Sequence, residues 1–180
     1  MKERNVFYHH GFTLIELIVT ITIMSMIGIL IAQVFFTTSR TNTKIELVKE
    51  AKQNGEYALG FIERMIRNSR YVTSACAGSA DTSITITNPD AGSTTFLCVQ
   101  DGSLFRIASQ SASGIEYLTS RSVTLGGADC ASSSLVITCT PSGGKPAFIG
   151  VAFSLSQIGT PVDQFQKASA SFQTDITLRN

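Results

Sequence analysis

Few residues of this chain are of types that could carry out a chemical reaction. His9 and His10 are its two histidines, and both lie near the start of the chain. Without a histidine further on, a Ser-His-Asp or Cys-His nucleophile and a histidine-ligated metal are not expected in the main body of the chain. The carboxylates after residue 72 are scattered, and no D-x-D-x-D-G calcium loop occurs among them. The sequence therefore predicts neither an enzyme nor a cofactor site.

The cysteines are the other reactive residues, and they predict disulfides. They form no C-x-x-C pair and no histidine lies near them, so disulfides in an oxidising compartment are a better interpretation than a zinc site. Four cysteines allow three pairings, and sequence alone does not decide between them. We expect one bond that joins the end of a helix to a hairpin and one that closes a short loop. These are Cys76–Cys98 and Cys130–Cys139.

Glu16 is unusual because of where it lies. It is the only charged residue from Phe12 to Phe36, a run of 25 residues. As a helix this run would be about 37 Å long, which is enough to cross a bilayer core of about 30 Å. A charge at the centre of such a segment costs on the order of 2.5–3.5 kcal/mol, so a carboxylate near its start needs an explanation. One explanation is local, because acidic side chains favour helix N-termini.

The residues before this run predict its orientation. Lys2 and Arg4 outweigh Glu3, and a basic flank predicts an N-terminus in the cytoplasm and a single pass through the inner (cytoplasmic) membrane. The apolar run is longer than that of a signal peptide, and no small-residue cleavage site follows it. We therefore expect residues 12–36 to hold the chain in the membrane, with all that follows on the outer side.

Residues 37–72 predict an amphipathic helical stem. Small and apolar residues recur there at steps of three and four and form one stripe, and Glu63 can pair with Arg67 one turn away. Asn54-Gly55 and the segment from Thr37 are the two points at which the helix could bend. The stripe consists of Val48, Ala51, Gly55, Ala58, Ile62, Met65, Ser69 and Val72.

The stem is also basic, with Arg64, Arg67 and Arg70 at steps of three. A solvated face in contact with anionic lipid headgroups is the favoured interpretation. An acidic groove on a neighbouring protein and DNA are the alternatives. The net charge of +1 gives no reason to expect DNA as a main partner.

Residues 73–180 predict an extracytoplasmic β-sheet domain. Short β-type runs alternate with Gly, Pro, Ser and Thr, and Asp101-Gly102 is a candidate two-residue hairpin turn. That turn would pair Phe96 with Ile107 and place both on a core face with Cys98 and Phe105. A second hairpin is expected around "PSGGKP", and "ASFQTDITL" predicts a last strand. The expected fold class is α+β, with one long N-terminal helix packed on a C-terminal antiparallel β-sheet.

The segment "GFTLIEL" resembles the prepilin motif of type IV pilins and of the pseudopilins of secretion and DNA-uptake systems. By this resemblance residues 1–11 are a leader and Gly11 is its last residue. Phe12 is then the first mature residue, whose amine is methylated, and Glu16 is the acidic residue at mature position five. "NGEYALGFIERMIRNSRYV" and "FQTDITLRN" are similar to segments of W-type minor pilins and J-type minor pseudopilins. The chain departs from many major pilins in having no Pro in its apolar helix.

The resemblance also implies partners and a place in the cell. They are prepilin peptidase, other pilin or pseudopilin subunits, an inner-membrane assembly platform and membrane lipid, and finally a periplasmic or cell-surface filament. It implies that Glu16 of one subunit meets the Phe12 amine of a neighbour, so that each charge gains a partner on assembly. A minor subunit is the first expectation. A major pilin and a monomeric membrane-anchored binding module are the alternatives.

Overall fold

The structure is a computed structural model of the 180-residue chain. It describes residues 11–74, 78–142, 145–158 and 168–178. The chain divides into two compact units, Met1–Asn42 and Thr43–Asn180. One helix, α1, runs from Leu14 to Arg67 and contributes to both units.

In the first unit, α1 is apolar and its side chains are exposed. Several hydroxyl groups along it donate a hydrogen bond to a backbone carbonyl of the preceding turn. Thr20 bonds to the Leu17 carbonyl at 2.9 Å, and Ser25 bonds to the Ile21 carbonyl at 2.8 Å. Such local bonds satisfy polar groups inside the helix itself, which is what a lipid environment requires.

In the second unit, the remainder of α1 packs on β-sheet through the predicted stripe. Ala51, Ala58 and Ile62 are fully buried, and the ring of Phe61 meets that of Phe96 edge-on at 6.3 Å between centroids. On the wet side, Arg67 donates to Glu63 at 2.7 Å, as predicted.

The helix ends earlier than the sequence indicates. The stem was expected to reach residue 72, but α1 ends at Arg67, and the Ser69 hydroxyl and N–H both bond to the Ile66 carbonyl. Tyr71–Val72 then form a strand paired with Ile86 and Thr87. The small-apolar stripe continued to Val72 because a partly buried strand residue fits the same pattern as a helical one.

Ten strands are assigned among the described residues. Their bounds are β1 Tyr71–Val72, β2 Ala80–Asp81, β3 Ser83–Thr87, β4 Ser93–Asp101, β5 Leu104–Ser111, β6 Gly114–Tyr117, β7 Val123–Thr124, β8 Val136–Ser142, β9 Lys145–Gln157 and β10 Ser169–Thr177.

These strands form two antiparallel sheets. The first has the order β1-β3-β4-β5-β6, and the second has the order β10-β9-β8-β2, with β7 also paired to β9. The hairpin around residues 141–146 and the last strand are confirmed by the pairing of β8 with β9 and of β9 with β10. One core cluster joins the helix and both sheets. Its largest fully buried members include Phe96, Ile62, Ile66, Ile84, Ile107, Ile137, Ile149 and Leu155.

The β4–β5 hairpin forms with a different turn from the predicted one. Asp101 pairs with Leu104, so Gly102 and Ser103 make the two-residue loop. Gly102 has a φ of 66°, and glycine at the first loop position is typical of a type II′ turn. Cys98 consequently faces Ile107 rather than Phe105, and Phe96 faces Ser109.

The predicted disulfide pairing is wrong. Cys98 on β4 bonds to Cys130 in the loop before β8, with 5.5 Å between their Cα atoms, which excludes both Cys76–Cys98 and Cys130–Cys139. Cys139 is also disulfide-bonded, and Cys76 lies outside the described residues. The predicted pairs were chosen because their cysteines are close along the chain. In the structure, β7 and the loop after it lie beside the first sheet, where the Leu125 N–H donates to the Phe105 carbonyl. This loop contains Cys130 and brings it to Cys98.

The Asn54-Gly55 dipeptide does not interrupt the helix, which is continuous from Leu14 to Arg67. The Asn54 side chain accepts a hydrogen bond from the Ser120 N–H at 2.7 Å, which joins α1 to the loop between β6 and β7. Gly55 is buried against the ring of Phe172 on β10, and a Cβ at position 55 would overlap Cε2 and Cζ of that ring. Both residues are therefore explained by contacts made inside the second unit.

Candidate functional site

The candidate site is the segment that leads into α1. Gly11, Phe12 and Thr13 are not helical and are exposed, and Phe12 is 79% exposed. The peptide bond between Gly11 and Phe12 therefore lies in irregular backbone immediately before the helix. A protease needs its substrate backbone accessible and free of helical hydrogen bonds, and this bond meets both conditions.

Thr13 occupies the N-cap position of α1. Its Oγ1 accepts a hydrogen bond from the Glu16 N–H at 3.3 Å, and its carbonyl accepts the Leu17 N–H at 3.2 Å. The spacing T-x-x-E is that of a capping box, in which the acidic residue at the third helical position stabilises the start of the helix. The sequence analysis did not single out Thr13, although this spacing could have identified it.

Glu16 is accordingly in the first helical turn and is exposed. Its carboxylate lies where the helix dipole favours a negative charge. Helix capping and pairing with the Phe12 amine both require a carboxylate at this position. A carboxylate at the third helical residue stabilises the helix start, and it is also close in sequence to the amine that cleavage before Phe12 would free.

The apolar surface that follows this turn has no cover within the chain. Exposed fractions run from 47% at Val19 to 78% at Leu14, and the apolar window of the helix is entirely unburied. By length and composition the helix could cross a membrane. Lipid or neighbouring helices must therefore cover this surface, since an exposed apolar patch of this extent is not maintained in water.

The accessible Gly11-Phe12 bond, the capped helix start and the exposed apolar surface are all features of one kind of N-terminal segment. Residues 7–32 match the prokaryotic N-terminal methylation motif. The match supports a type IV pilin-like precursor, and with it processing by prepilin peptidase and assembly with other pilins. It spans Gly11, Phe12 and Glu16, the three residues that the sequence analysis placed in the site.

Comparison with curated proteins and with solved structures found no match to the chain. The subtype suggested by the stem and by the last strand therefore has no support from those comparisons.

A second polar cluster lies in the β-sheet domain and was not predicted. The buried guanidinium of Arg106 donates to Asp101 at 2.7 Å and to the Thr119 carbonyl, and it stacks over the ring of Tyr117 at 4.0 Å. Arg121 donates to the same carboxylate at 3.0 Å. The hydrogen bonds from Arg121 and Arg106 hold the pKa of Asp101 below its usual value.

This cluster has the character of a structural clamp. Asp101 ends β4, Arg106 lies on β5, and Thr119 belongs to the loop whose Ser120 contacts α1. No group of three or more His, Cys, Asp or Glu side chains that could hold a metal was found in the described part of the chain. Two of the basic stem residues have nearby partners of their own: Arg64 lies over the Phe61 ring at 5.5 Å, and Arg67 pairs with Glu63.

Proposed function

We propose that this chain is a minor structural subunit of a type IV pilus or of a secretion or DNA-uptake pseudopilus. Prepilin peptidase cuts it after Gly11, and the mature chain beginning at Phe12 enters a filament through its apolar helix. Its role is mechanical rather than catalytic, because a chain that begins at Phe12 contains no histidine. The assignment to the minor class follows from the resemblance of the stem to W-type and J-type subunits.

One observation carries the proposal. The methylation motif coincides with the capped start of a helix whose apolar side chains over residues 14–36 are exposed. A simple membrane anchor gains nothing from Glu16 or from the Gly11-Phe12 junction. A subunit that moves from lipid into a filament can use both, because the cut supplies a cation for each anion.

The processing step is tested on the mature protein from cells. Mass spectrometry should show Phe12 at the N-terminus, and replacement of Gly11 by a charged residue such as Glu should abolish the cut. Gly11→Ala is the matched control and should be cut in part, because alanine is also small. An intact leader on the wild-type chain in cells that contain prepilin peptidase would overturn the proposal.

The assembly step is tested with three variants of the capping box. Glu16→Ala should insert into the membrane and fail to enter filaments. Glu16→Gln separates the two explanations of Glu16, because glutamine serves a capping box as well as glutamate does but cannot pair with the Phe12 amine as an anion. If Glu16→Gln enters filaments normally, local capping is the whole role of Glu16 and charge pairing is wrong. Thr13→Ser retains the cap and should assemble normally.

The alternatives give different results in the same cells. A major pilin would make up most of the protein in sheared filaments, whereas a minor subunit would be a small fraction. A monomeric anchored module would form no crosslinks between cysteines placed along residues 14–36, whereas a filament subunit would crosslink to its neighbours.

A further inference from the structure

The Asn54-Gly55 dipeptide has a reactivity that the proposed function does not use. The side-chain amide of an asparagine can be attacked by the backbone nitrogen of the next residue, which closes a five-membered succinimide ring. Glycine at that next position has no side chain to hinder the approach of its nitrogen. Asn-Gly is therefore the most reactive asparagine dipeptide in a flexible chain, and here it lies inside α1.

The reaction is a deamidation. The Gly55 nitrogen loses its proton and forms a bond to Cγ of Asn54, and the bond from Cγ to Nδ2 breaks, so that ammonia leaves. Water then opens the ring at either of its carbonyls. One product has an aspartate at position 54, and the other has an isoaspartate, in which the main chain runs through Cβ and Cγ. Isoaspartate adds a carbon to the backbone and cannot keep the hydrogen-bond register of an α-helix.

Both polar atoms of the Asn54 side chain are held in the structure. Nδ2 donates to the Glu50 carbonyl at 3.0 Å, and Oδ1 accepts the Ser120 N–H at 2.7 Å. Because Glu50 lies one turn before Asn54, the first bond turns the amide away from the Gly55 nitrogen. The second bond joins the amide to the loop between β6 and β7. Attack by the Gly55 nitrogen would require both bonds to break.

The attacking nitrogen is constrained as well. Within α1 the Gly55 N–H donates to the carbonyl four residues earlier, so loss of its proton would cost a hydrogen bond. Gly55 is buried, with the Phe172 ring where a Cβ would lie. Ring closure also requires a backbone ψ angle at Asn54 that an α-helix does not have. The reaction can therefore proceed only after this part of α1 has opened locally.

We propose that Asn54-Gly55 is a deamidation site that the packing of the stem keeps closed. While α1 is packed against Ser120 and Phe172, Asn54 is inert. Local opening of the helix exposes it, and conversion to isoaspartate then prevents the helix from re-forming through position 54. Deamidation at Asn54 is thus an irreversible record of how often the stem has opened. The inference concerns the second unit alone and does not rest on the proposed function.

Asn68 gives an internal reference in the same chain. It lies beyond the last residue of α1 and is exposed, and the residue after it is Ser69. In the full mature chain unfolded in guanidinium chloride, Asn54 should deamidate faster than Asn68, because serine hinders the attack and glycine does not. In the folded protein in detergent, at the same pH and temperature, the ratio of the Asn54 rate to the Asn68 rate should fall at least several-fold. Peptide mapping by mass spectrometry measures both sites in one sample, and an unchanged ratio would overturn the proposal.

Substitution of the ring that packs on Gly55 tests the cause of the protection. Phe172→Ala should speed deamidation at Asn54 at least several-fold in the folded protein and leave Asn68 unchanged. Phe172→Leu, a milder change, should act in the same direction. Phe148→Ala is the matched control, since Phe148 lies on β9 and is exposed, and it should change neither site.

The two asparagines separate local opening from general loosening. A variant that merely destabilises the whole protein would speed both sites, whereas loss of the Phe172 contact should act on Asn54 alone. Circular dichroism of each variant checks that it is folded. Equal acceleration of Asn54 and Asn68 in Phe172→Leu, or no acceleration at Asn54 in either Phe172 variant, would show that packing of the stem does not protect the site.

Discussion

At the scale of single residues, Gly55 shows how a contact outweighs a local preference. Asn-Gly is a turn dipeptide, yet both residues lie within α1. The helix continues because Asn54 bonds to the Ser120 N–H and Gly55 admits the Phe172 ring. Glycine in a helix costs about 0.5–1 kcal/mol relative to alanine, so its presence here reflects the close approach.

Two alanine substitutions separate these contributions. Gly55→Ala should destabilise the protein, because overpacking costs about 1–3 kcal/mol and exceeds the gain in helix propensity. Gly60→Ala is the matched control, since nothing lies within 4 Å of a Cβ there, and it should stabilise by about 0.5–1 kcal/mol. Denaturant unfolding of both variants measures the difference. A stabilised Gly55→Ala would show that Phe172 does not pack against the helix.

Asp101 makes stability depend on pH in a defined direction. Its pKa is lowered by hydrogen bonds from Arg121 and then Arg106. Its stabilising contribution is therefore present above its unfolded pKa of about 3.9, and it is lost as the pH falls through the lower folded value. Arg121→Ala should raise the pKa of Asp101, as followed by carboxyl NMR shifts.

Asp129 is the internal control for that titration. Its pKa is lowered by hydrogen bonds from Ser132 and not by Arg121, so it should not move in Arg121→Ala. An unchanged pKa at Asp101, or equal shifts at both carboxyl groups, would contradict the assignment of Arg121 as the main cause.

At the scale of elements, the sequence pattern predicts which face of a strand is buried better than it predicts which residues pair across two strands. The β4–β5 turn forms at Gly102-Ser103 instead of Asp101-Gly102, because both dipeptides suit a two-residue loop. Moving the loop by one residue changes each pairing by two residues, and side chains alternate with a period of two. Phe96, Cys98, Phe105 and Ile107 therefore remain on one buried face, as predicted, although every cross-strand partner differs.

The disulfide depends on information that spacing along the chain does not contain. Cys130 reaches Cys98 because β7 returns beside β5, a contact between two elements that the sequence analysis did not place together. In contrast, the start of α1 and the stripe on the stem depend on residues that are within one or two helical turns of each other in the sequence. The N-terminal site was thus predictable from local sequence, and the clamp around Asp101 was not.

Removal of the Cys98–Cys130 bond should be costly. Its sequence separation is 32 residues, and the chain-entropy model gives roughly 3–4 kcal/mol for a loop of that size. The Cys98→Ser/Cys130→Ser double variant should lose about that much in the free energy of unfolding. Non-reducing peptide mapping of the wild-type protein should yield a linked peptide pair containing Cys98 and Cys130. A Cys98 peptide joined to any other cysteine would refute the bond.

At the scale of the whole molecule, the two units differ in what covers their apolar groups. The second unit has a buried core shared by helix and sheets, whereas none of the described residues of the first unit, 11–42, belongs to a core. A chain of residues 43–180, secreted into an oxidising compartment, should be soluble without detergent and unfold cooperatively. The full mature chain should need detergent or lipid. Aggregation of the 43–180 chain with its disulfides formed would contradict the division at residue 42.

The Cys98–Cys130 bond also sets how far the protein can be stretched. The residues between the two cysteines cannot extend while the bond is intact. At about 3.3 Å per residue, a separation of 32 residues withholds on the order of 100 Å of contour length. Under tension between its ends, a chain that keeps this bond as its only disulfide would therefore come to its full extension about 100 Å sooner than a fully reduced one, and it would remain correspondingly closer to refolding when the load is released.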